Sequence, residues 1–229
     1  MEENKIPVHI GIIMDGNGRW AQLRGKNRSY GHKAGSANVE RVAEHAFSRG
    51  VKAVSLYAFS SENWARPKEE VNELMKLLGS YIKKLTARAV KNGVRVNVLG
   101  ERSRLSPELL RVIEKYTAKT AAGKLQLNIL IDYGGRGEIV RAANAALESG
   151  QTLTEESLSA HLYTAETPPL DLIVRTGGEL RLSNFMLWQA AYAELYFTDV
   201  LWPDFGEKEL DIALENFAKR ERRYGKIEC

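Results

Sequence analysis

Four short stretches of the sequence gather side chains able to hold an anion or a metal ion. The first is "IIMDGNGRW" (12–20), where an apolar run ends in Asp15, Gly16, Asn17, Gly18, Arg19 and Trp20. Backbone N–H groups in a glycine turn can cradle phosphate, and Gly16 and Gly18 can take positive φ. Arg19 can add charge-assisted bonds, and Asp15 can hold a divalent cation. An ordinary Asp-Gly turn with Arg19 in solvent fits the same residues. The loop is neither a Walker A sequence nor G-x-G-x-x-G, so it is not a nucleotide fingerprint.

The second stretch, "GKNRSYGHKAG" (25–35), places Lys26, Arg28, His32 and Lys33 just ahead of a helix-like run. A helix N-terminus ringed by cations suits an anion, and His32 equally suits packing or capping there. The third, "YAFSSENWARP" (57–67), carries Ser60, Ser61, Glu62 and Asn63, then Trp64 as a flat apolar wall and Arg66 as a cation. The same residues read as a helix entry in which serines cap and Pro67 takes the first helical position. In the fourth, "DLIVRTGGELRLSNF" (171–185), Arg175 and Arg181 flank Gly177–Gly178, followed by Leu182 and Ser183. Two arginines and a hydroxyl suit the oxygens of a diphosphate, and ion pairing with Glu179 is the structural alternative. Glu194, set in an apolar stretch, requires a partner or a metal.

These stretches need elements to position them. Apolar runs at 9–14, 51–59, 94–100, 125–131, 171–176 and 194–198 alternate with helical patterns near 33–49, 67–92, 106–122, 136–149, 154–163 and 206–222. The alternation predicts an α/β fold with a mostly parallel sheet under helices, its strands buried on both faces. In the longest helix Val71, Leu74, Met75, Leu78, Tyr81, Ile82, Leu85 and Ala89 recur at helical spacing, and Asn92–Gly93 ends it. In such a sheet ligands bind beyond the carboxyl ends of the strands, where the first, third and fourth stretches lie.

The 229 residues form a single domain, 1–229, by the absence of repeats, low-complexity tracts or long linkers. Hydrophobic residues make up 44% and charged residues 27%, as in a soluble globular protein with its own core. The one cysteine, Cys229, excludes an internal disulfide framework and suits a reducing, cytoplasmic setting. No signal peptide or membrane-span pattern is present. The net charge of +4 permits an anionic substrate without requiring one. Ser–His–Asp, HExxH and cysteine-ligand patterns are missing, which leaves hydrolase and zinc chemistry without support.

Six motifs in order resemble the cis-prenyltransferase family, in its undecaprenyl diphosphate synthase or isoprenyl transferase branch. They are "HIGIIMDGNGRWA" (9–21), "GHKAG" (31–35), "LYAFSSENWARP" (56–67), "YGGRGEIV" (133–140), "DLIVRTGGELRLSNF" (171–185) and "WQAAYAELYFTDVLWPDF" (188–205). The match runs from about residue 6 to 225. The resemblance implies a six-stranded, mostly parallel sheet surrounded by helices, an apolar substrate tunnel and a homodimer. It implies Mg²⁺-dependent extension of an allylic diphosphate, typically farnesyl diphosphate, with isopentenyl diphosphate in cis geometry.

Carried over by position, Asp15 is the metal-binding catalytic aspartate and Glu194 a second metal residue. Gly16, Asn17, Gly18, Arg19, Arg28 and His32 bind the allylic diphosphate, with Trp20 beside it. Ser60, Ser61, Glu62, Trp64 and Arg66 line the reacting centre, and Asn63 is the proton acceptor, a role a diphosphate oxygen could fill instead. Arg175, Arg181, Leu182 and Ser183 hold isopentenyl diphosphate. Arg223-Tyr224-Gly225 reaches toward the neighbour's site, and the helix at 67–92 with the strand at 125–131 walls the tunnel. Product release implies transient membrane contact.

Two stretches depart from the family pattern. Leu130 and Asp132 stand in "NILIDYGGR", where small residues and Asn or Ser are common, so a Leu130 facing the tunnel would shorten the product. Leu180 stands where some members carry His. A non-catalytic scaffold subunit is the competing reading, and retention of Asp15, Asn63, Arg175 and Arg181 argues against it. Nucleic-acid binding through "KRERRYGK" (219–226) is a third, unfavoured reading.

Overall fold

The computed structural model describes residues 5–220. All six expected strands form: β1 (His9–Ile13), β2 (Ala53–Ser60), β3 (Val94–Leu99), β4 (Leu125–Tyr133), β5 (Leu172–Arg175) and β6 (Glu194–Phe197). They make one sheet in the order β3-β4-β2-β1-β5-β6, and every adjacent pair is parallel. The six expected helices form too, as α2 (Arg28–Ser48), α3 (Lys68–Lys91), α4 (Pro107–Ala118), α5 (Gly135–Glu148), α6 (Glu155–Ala160) and α7 (Glu207–Ala218). A short α1 (Asn17–Gln22) was not legible, because six residues hold too little periodicity to register.

Local signals close several helix ends. Ser106 and Thr154 accept hydrogen bonds from the backbone N–H groups of Leu109 and Ser157, capping α4 and α6. Gly93, at φ +65°, follows α3 in a left-handed conformation. Pro67 caps α3 rather than occupying its first turn. The second helix begins five residues earlier than its periodicity suggests, at Arg28, because Asn27 accepts the Tyr30 N–H. Arg28 and His32 therefore project from the first turns of α2 instead of from a loop ahead of it.

Strand alternation splits the core. Ile12, Leu56, Ile129 and Val174 join the main cluster, which α2, α3 and α7 complete. Ile13, Leu130 and Ile173 point the other way and pack with Tyr133, Phe185 and Met186. The β2–β4 register slips between Tyr57 and Ser60, so Phe59 returns to the main-core face just before the chain leaves the sheet.

Candidate active site

The turn after β1 is a helix start. Gly16, at φ +104°, is the N-cap of α1, and a Cβ there would meet Leu201 Cδ2 at 2.7 Å. Gly18 lies inside α1 and needs no positive φ; its missing Cβ makes room for the Arg28 guanidinium, which would otherwise sit 2.8 Å away. Asp15 leaves β1 with its side chain about one-third exposed. Its Oδ2 accepts from Arg175 Nη2 at 3.0 Å, and its Oδ1 pairs with Arg19 Nη2 at 3.3 Å. The Asp15 carbonyl accepts from Thr176 Oγ1 at 2.7 Å and from the Trp202 N–H at 3.0 Å, so the segment is held from two sides.

Asp15, Gly16, Asn17, Gly18, Arg19, Arg28, His32 and Arg66 line one pocket. Glu70, which the motifs did not flag, gathers its cations: Arg66 Nη1 donates at 3.0 Å, Arg28 Nε lies at 3.7 Å and His32 Nε2 at 3.9 Å. The four-residue spacing of Arg66 and Glu70 along the chain carried that signal. Burial, reinforced by the Arg66 charge, lowers the His32 pKa to about 4, with Arg28 also lowering it and Glu70 opposing. The ring is neutral, and its buried Nε2 has no hydrogen-bond partner; neither has Asn17 Oδ1. Buried unpartnered polar atoms are costly, which marks this pocket as built for a guest.

Arg175 is the buried cation of the site, 4% exposed. Its Nη1 donates to the Arg181 carbonyl and to Ser183 Oγ at 2.8 Å. The chain that supplies those acceptors is strained: Ser183, Asn184 and Met186 take φ of +49°, +64° and +44°. Left-handed non-glycine residues cost free energy that surrounding structure must sustain, and they cluster at ligand sites. Asn184 Nδ2 donates to Glu62 Oε1 at 2.9 Å, tying this loop to the one after β2. Partial burial raises the Glu62 pKa, but the hydrogen bonds from Asn184, its own backbone and Ser60 and Ser61 outweigh it and hold the carboxyl below its usual value. Ser60 and Asn63 cap each other across the 3-10 turn at Ser61–Ala65, with Asn63 Oδ1 accepting the Ser60 N–H at 3.1 Å. The capping and chemical readings of "SSEN" thus coexist. Arg181 is mostly exposed and pairs with Glu179 at 2.5 Å.

Three expected site residues lie elsewhere. Trp20 turns outward: its Nε1 donates to Asp204 at 2.7 Å, its ring stacks on Tyr30 and Arg24 covers it at 4.0 Å. Leu130 is fully buried on the sheet face opposite the site's cavity, since strand alternation puts Ile129 on the cavity side. Glu194 opens β6 level with Leu172, which pairs with Ile10, so it sits at roughly 16 Å from Asp15 along the strand direction. Its carboxylate accepts from Arg220 at 2.6 Å. Within one chain Glu194 and Asp15 cannot share a metal ion. Arg223, Tyr224 and Gly225 lie outside the described residues, as do Cys229 and most of the basic run.

The polar pocket continues inward. Met14, Asn17 and His32 also line a second, apolar cavity walled by α2, α3 and the sheet, with Leu74, Leu78, Tyr81, Phe59 and Ile129 among its surfaces. A cationic, phosphate-sized mouth opening onto a hydrocarbon-lined interior suits an amphiphile with an anionic head. Among the described residues no cluster of three His, Cys, Asp or Glu is placed to hold a metal. Asp15 alone fits an ion such as Mg²⁺, which binds through one or two carboxylates and fills its sphere with substrate phosphate and water.

The undecaprenyl diphosphate synthase family model matches residues 13–225. The chain belongs to that family. It is 49% identical over 229 residues to an isoprenyl transferase of Fusobacterium nucleatum, covering 99% of both chains. It is 49% identical over 240 aligned residues to the ditrans,polycis-undecaprenyl-diphosphate synthase ((2E,6E)-farnesyl-diphosphate specific) of Escherichia coli K12, covering 98% of this chain and 93% of that one. The crystal structure of lavandulyl diphosphate synthase from Lavandula x intermedia, in complex with dimethylallyl diphosphate, superposes with a TM-score of 0.92 at 34% identity, covering 96% of this chain and 99% of the other. The family assignment makes this chain a cis-prenyltransferase, and the expected six-stranded α/β fold is the one it has.

Proposed function

We propose that this cis-prenyltransferase condenses isopentenyl diphosphate onto farnesyl diphosphate, repeatedly and with Mg²⁺, to give a long polyprenyl diphosphate of the undecaprenyl carrier class used in cell-wall synthesis. One observation carries the reading: Met14, Asn17 and His32 belong at once to the cationic mouth and to the apolar cavity. A diphosphate head and a prenyl tail need that continuity.

In each cycle the allylic C–O bond breaks and diphosphate leaves with the electron pair. The isopentenyl double bond attacks the allylic carbon, and a proton then departs from the isopentenyl unit. Arg19, Arg28 and the α1 N–H groups meet the leaving diphosphate and stabilise its growing charge. Mg²⁺ held through Asp15 would add charge neutralisation at the diphosphate. Arg175, Arg181 and Ser183 hold the isopentenyl diphosphate and align its double bond. The Asn63 amide is a weak base and its Oδ1 already accepts the Ser60 N–H, so we assign Asn63 to positioning and give the proton to a diphosphate oxygen.

The reading extends to assembly and place. Edge strand β6, with exposed Leu180 and Tyr192 close in sequence, suits a homodimer contact. No helix among the described residues is long and apolar enough to cross a membrane. We place the enzyme in the cytoplasm, touching membrane transiently to release product. The test is incorporation of labelled isopentenyl diphosphate into extractable lipid with farnesyl diphosphate and Mg²⁺. We expect incorporation that chelation with EDTA abolishes. Folded protein that incorporates nothing would overturn the reading in favour of a scaffold subunit.

A further inference from the structure

We propose that Asn184 is a positioning residue for the isopentenyl half of the site: it clamps the loop that carries Arg181 and Ser183 to the ends of β2 and β4. The inference rests on the elongation reading above, which gives isopentenyl diphosphate to Arg175, Arg181 and Ser183.

In the sheet β5 is separated from β4 by β1 and β2, so the chain leaving β5 must cross two strands to reach the end of β4. Phe185 marks the crossing: a Cβ on Gly11 of β1 would meet its ring at 2.9 Å, and the ring stacks on Tyr57 of β2 at 4.7 Å. Asn184 stands beside it and reaches both remaining strand ends. Its carbonyl accepts from the Gly135 N–H at 2.7 Å, and its Oδ1 accepts from the Arg136 N–H at 2.9 Å. These are the first two residues of α5, whose own N-cap, Gly134, has no side chain to offer. A helix start leaves such N–H groups without partners, and here the acceptors come from another loop. Asn184 Nδ2 donates to Glu62 Oε1 at 2.9 Å, in the turn after β2. One residue therefore joins the ends of β2, β4 and β5.

The surroundings make room for the amide and fix the chain on either side of it. A Cβ on Gly134 would meet Asn184 Nδ2 at 2.6 Å and Ser61 Oγ at 2.7 Å. On one side the Tyr57 hydroxyl lies 3.2 Å from the Ser183 carbonyl; on the other Phe185 and Met186 are fully buried. Within this frame Asn184 keeps φ at +64°, which asparagine tolerates better than most side chains but still at a cost. Capping α5 needs only acceptors. The donor Nδ2 goes instead to Glu62, beside the reacting centre, and that bond is what a purely structural cap would not require. Ser183 Oγ and the Arg181 carbonyl in turn hold Arg175, so a shift of this loop reaches every group assigned to isopentenyl diphosphate. Arg19, Arg28 and His32 sit on α1 and α2, outside the clamp.

Asn184→Asp separates the cap from the clamp. The carboxylate keeps an acceptor for the Arg136 N–H, and negative charge suits a helix N-terminus, so the thermal midpoint should hold. At Glu62 an oxygen replaces the N–H donor and faces a carboxyl that, despite partial burial, its hydrogen bonds hold below its usual pKa. The KM for isopentenyl diphosphate should rise by about tenfold and kcat should fall, while the KM for farnesyl diphosphate stays within about twofold of the wild type. Adding Glu62→Gln supplies an amide that can donate to the new carboxylate. The loss caused by Asn184→Asp should therefore be smaller in the Glu62→Gln background than in the wild type, a comparison that removes whatever Glu62→Gln does by itself. Equal losses in both backgrounds, or a loss shared by both substrates, would overturn the proposal. Should Asn184→Asp fail to fold by circular dichroism, Asn184→Gly, which takes positive φ without strain, is read by the same difference between the two substrates.

Binding separates this proposal from the elongation reading. With the allylic pocket filled by a saturated alkyl diphosphate, which cannot ionise, calorimetry reads the affinity for isopentenyl diphosphate without turnover. Asn184→Asp should weaken that affinity by about tenfold and leave the affinity for the alkyl diphosphate unchanged. That result in a protein that elongates nothing would sustain the clamp and sink the elongation reading. An isopentenyl diphosphate affinity unmoved by Asn184→Asp would sink the clamp, whatever the turnover.

Discussion

Two histidines on opposite faces of the same sheet have the same pKa and opposite meanings. Burial lowers both His9 and His32 to about 4. His9 is fully partnered: Nδ1 donates to the Pro168 carbonyl at 2.8 Å, and Nε2 accepts from Ser55 Oγ at 2.7 Å. The chain of bonds continues to Asn128 and Asn97, crossing four strands. His32 meets Glu70 only at 3.9 Å, and its buried Nε2 is unpaired beside a cavity. A depressed pKa therefore does not distinguish a structural histidine from a functional one; an unfilled hydrogen-bond inventory does. Changes around His9 should cost stability and spare the chemistry, and changes around His32 and Asp15 should do the reverse.

The largest effect expected is at Asp15. Replacing it by asparagine keeps the size and leaves Arg175 its bonds to Arg181 and Ser183. Turnover should fall roughly a thousandfold, the scale of losing a group aimed at developing charge, while the thermal midpoint stays near that of the wild type. A variant with near-normal turnover would break the assignment of this end of the sheet to chemistry.

Leu130→Ala should show the opposite pattern. The side chain is fully buried against Tyr133 and Phe185, so truncation should cost about 2–5 kcal/mol in denaturant unfolding. Product length should be unchanged. A longer product would mean that the two faces communicate, and the comparison would fail.

The fold was largely legible in the sequence because it depends on local signals that repeat. Six short apolar runs, bounded by turn residues and alternating with longer helical patterns, read as buried strands. The site was legible in its residue types but less so in its orientations. Alternation says that Ile129 and Leu130 face opposite ways; which of them faces α3 depends on pairing with β2 and β3, which is long-range information. Trp20 was misplaced for the same reason, since its partner Asp204 lies 184 residues away. The strain at Ser183–Met186 had no sequence signature, because none of the left-handed residues there is glycine.

The His9 chain can be tested by pH. Its folded pKa, about 4, lies below the unfolded value near 6.5, so between these values the unfolded chain binds the proton and the folded one does not. Stability is therefore fully present above pH 6.5 and declines as pH falls toward 4, by on the order of 3 kcal/mol. Urea titrations across that window should show the slope in the wild type and lose this contribution in His9→Gln. A wild-type stability flat across the window would show that His9 is protonated in the fold, and the neutral Ser55–His9–Pro168 arrangement would be wrong.

His32 carries the smallest effect and the most discriminating one. In the free protein burial and the charges of Arg66 and Arg28 keep its ring neutral, with Glu70 opposing them. A diphosphate entering the mouth would offset those two cations and bring negative charge to the ring, raising its pKa. Binding should then take up a proton, and calorimetry in buffers of different ionisation enthalpy reads that uptake directly. His32→Phe keeps a ring of similar size and removes the unpartnered nitrogen, so folding stability should hold or rise slightly. The KM for the allylic diphosphate should rise by about tenfold with kcat little changed, the signature of binding shared by ground and transition states, and the proton uptake should vanish. Uptake that persists in His32→Phe would assign the proton to another group and leave His32 as structural as His9.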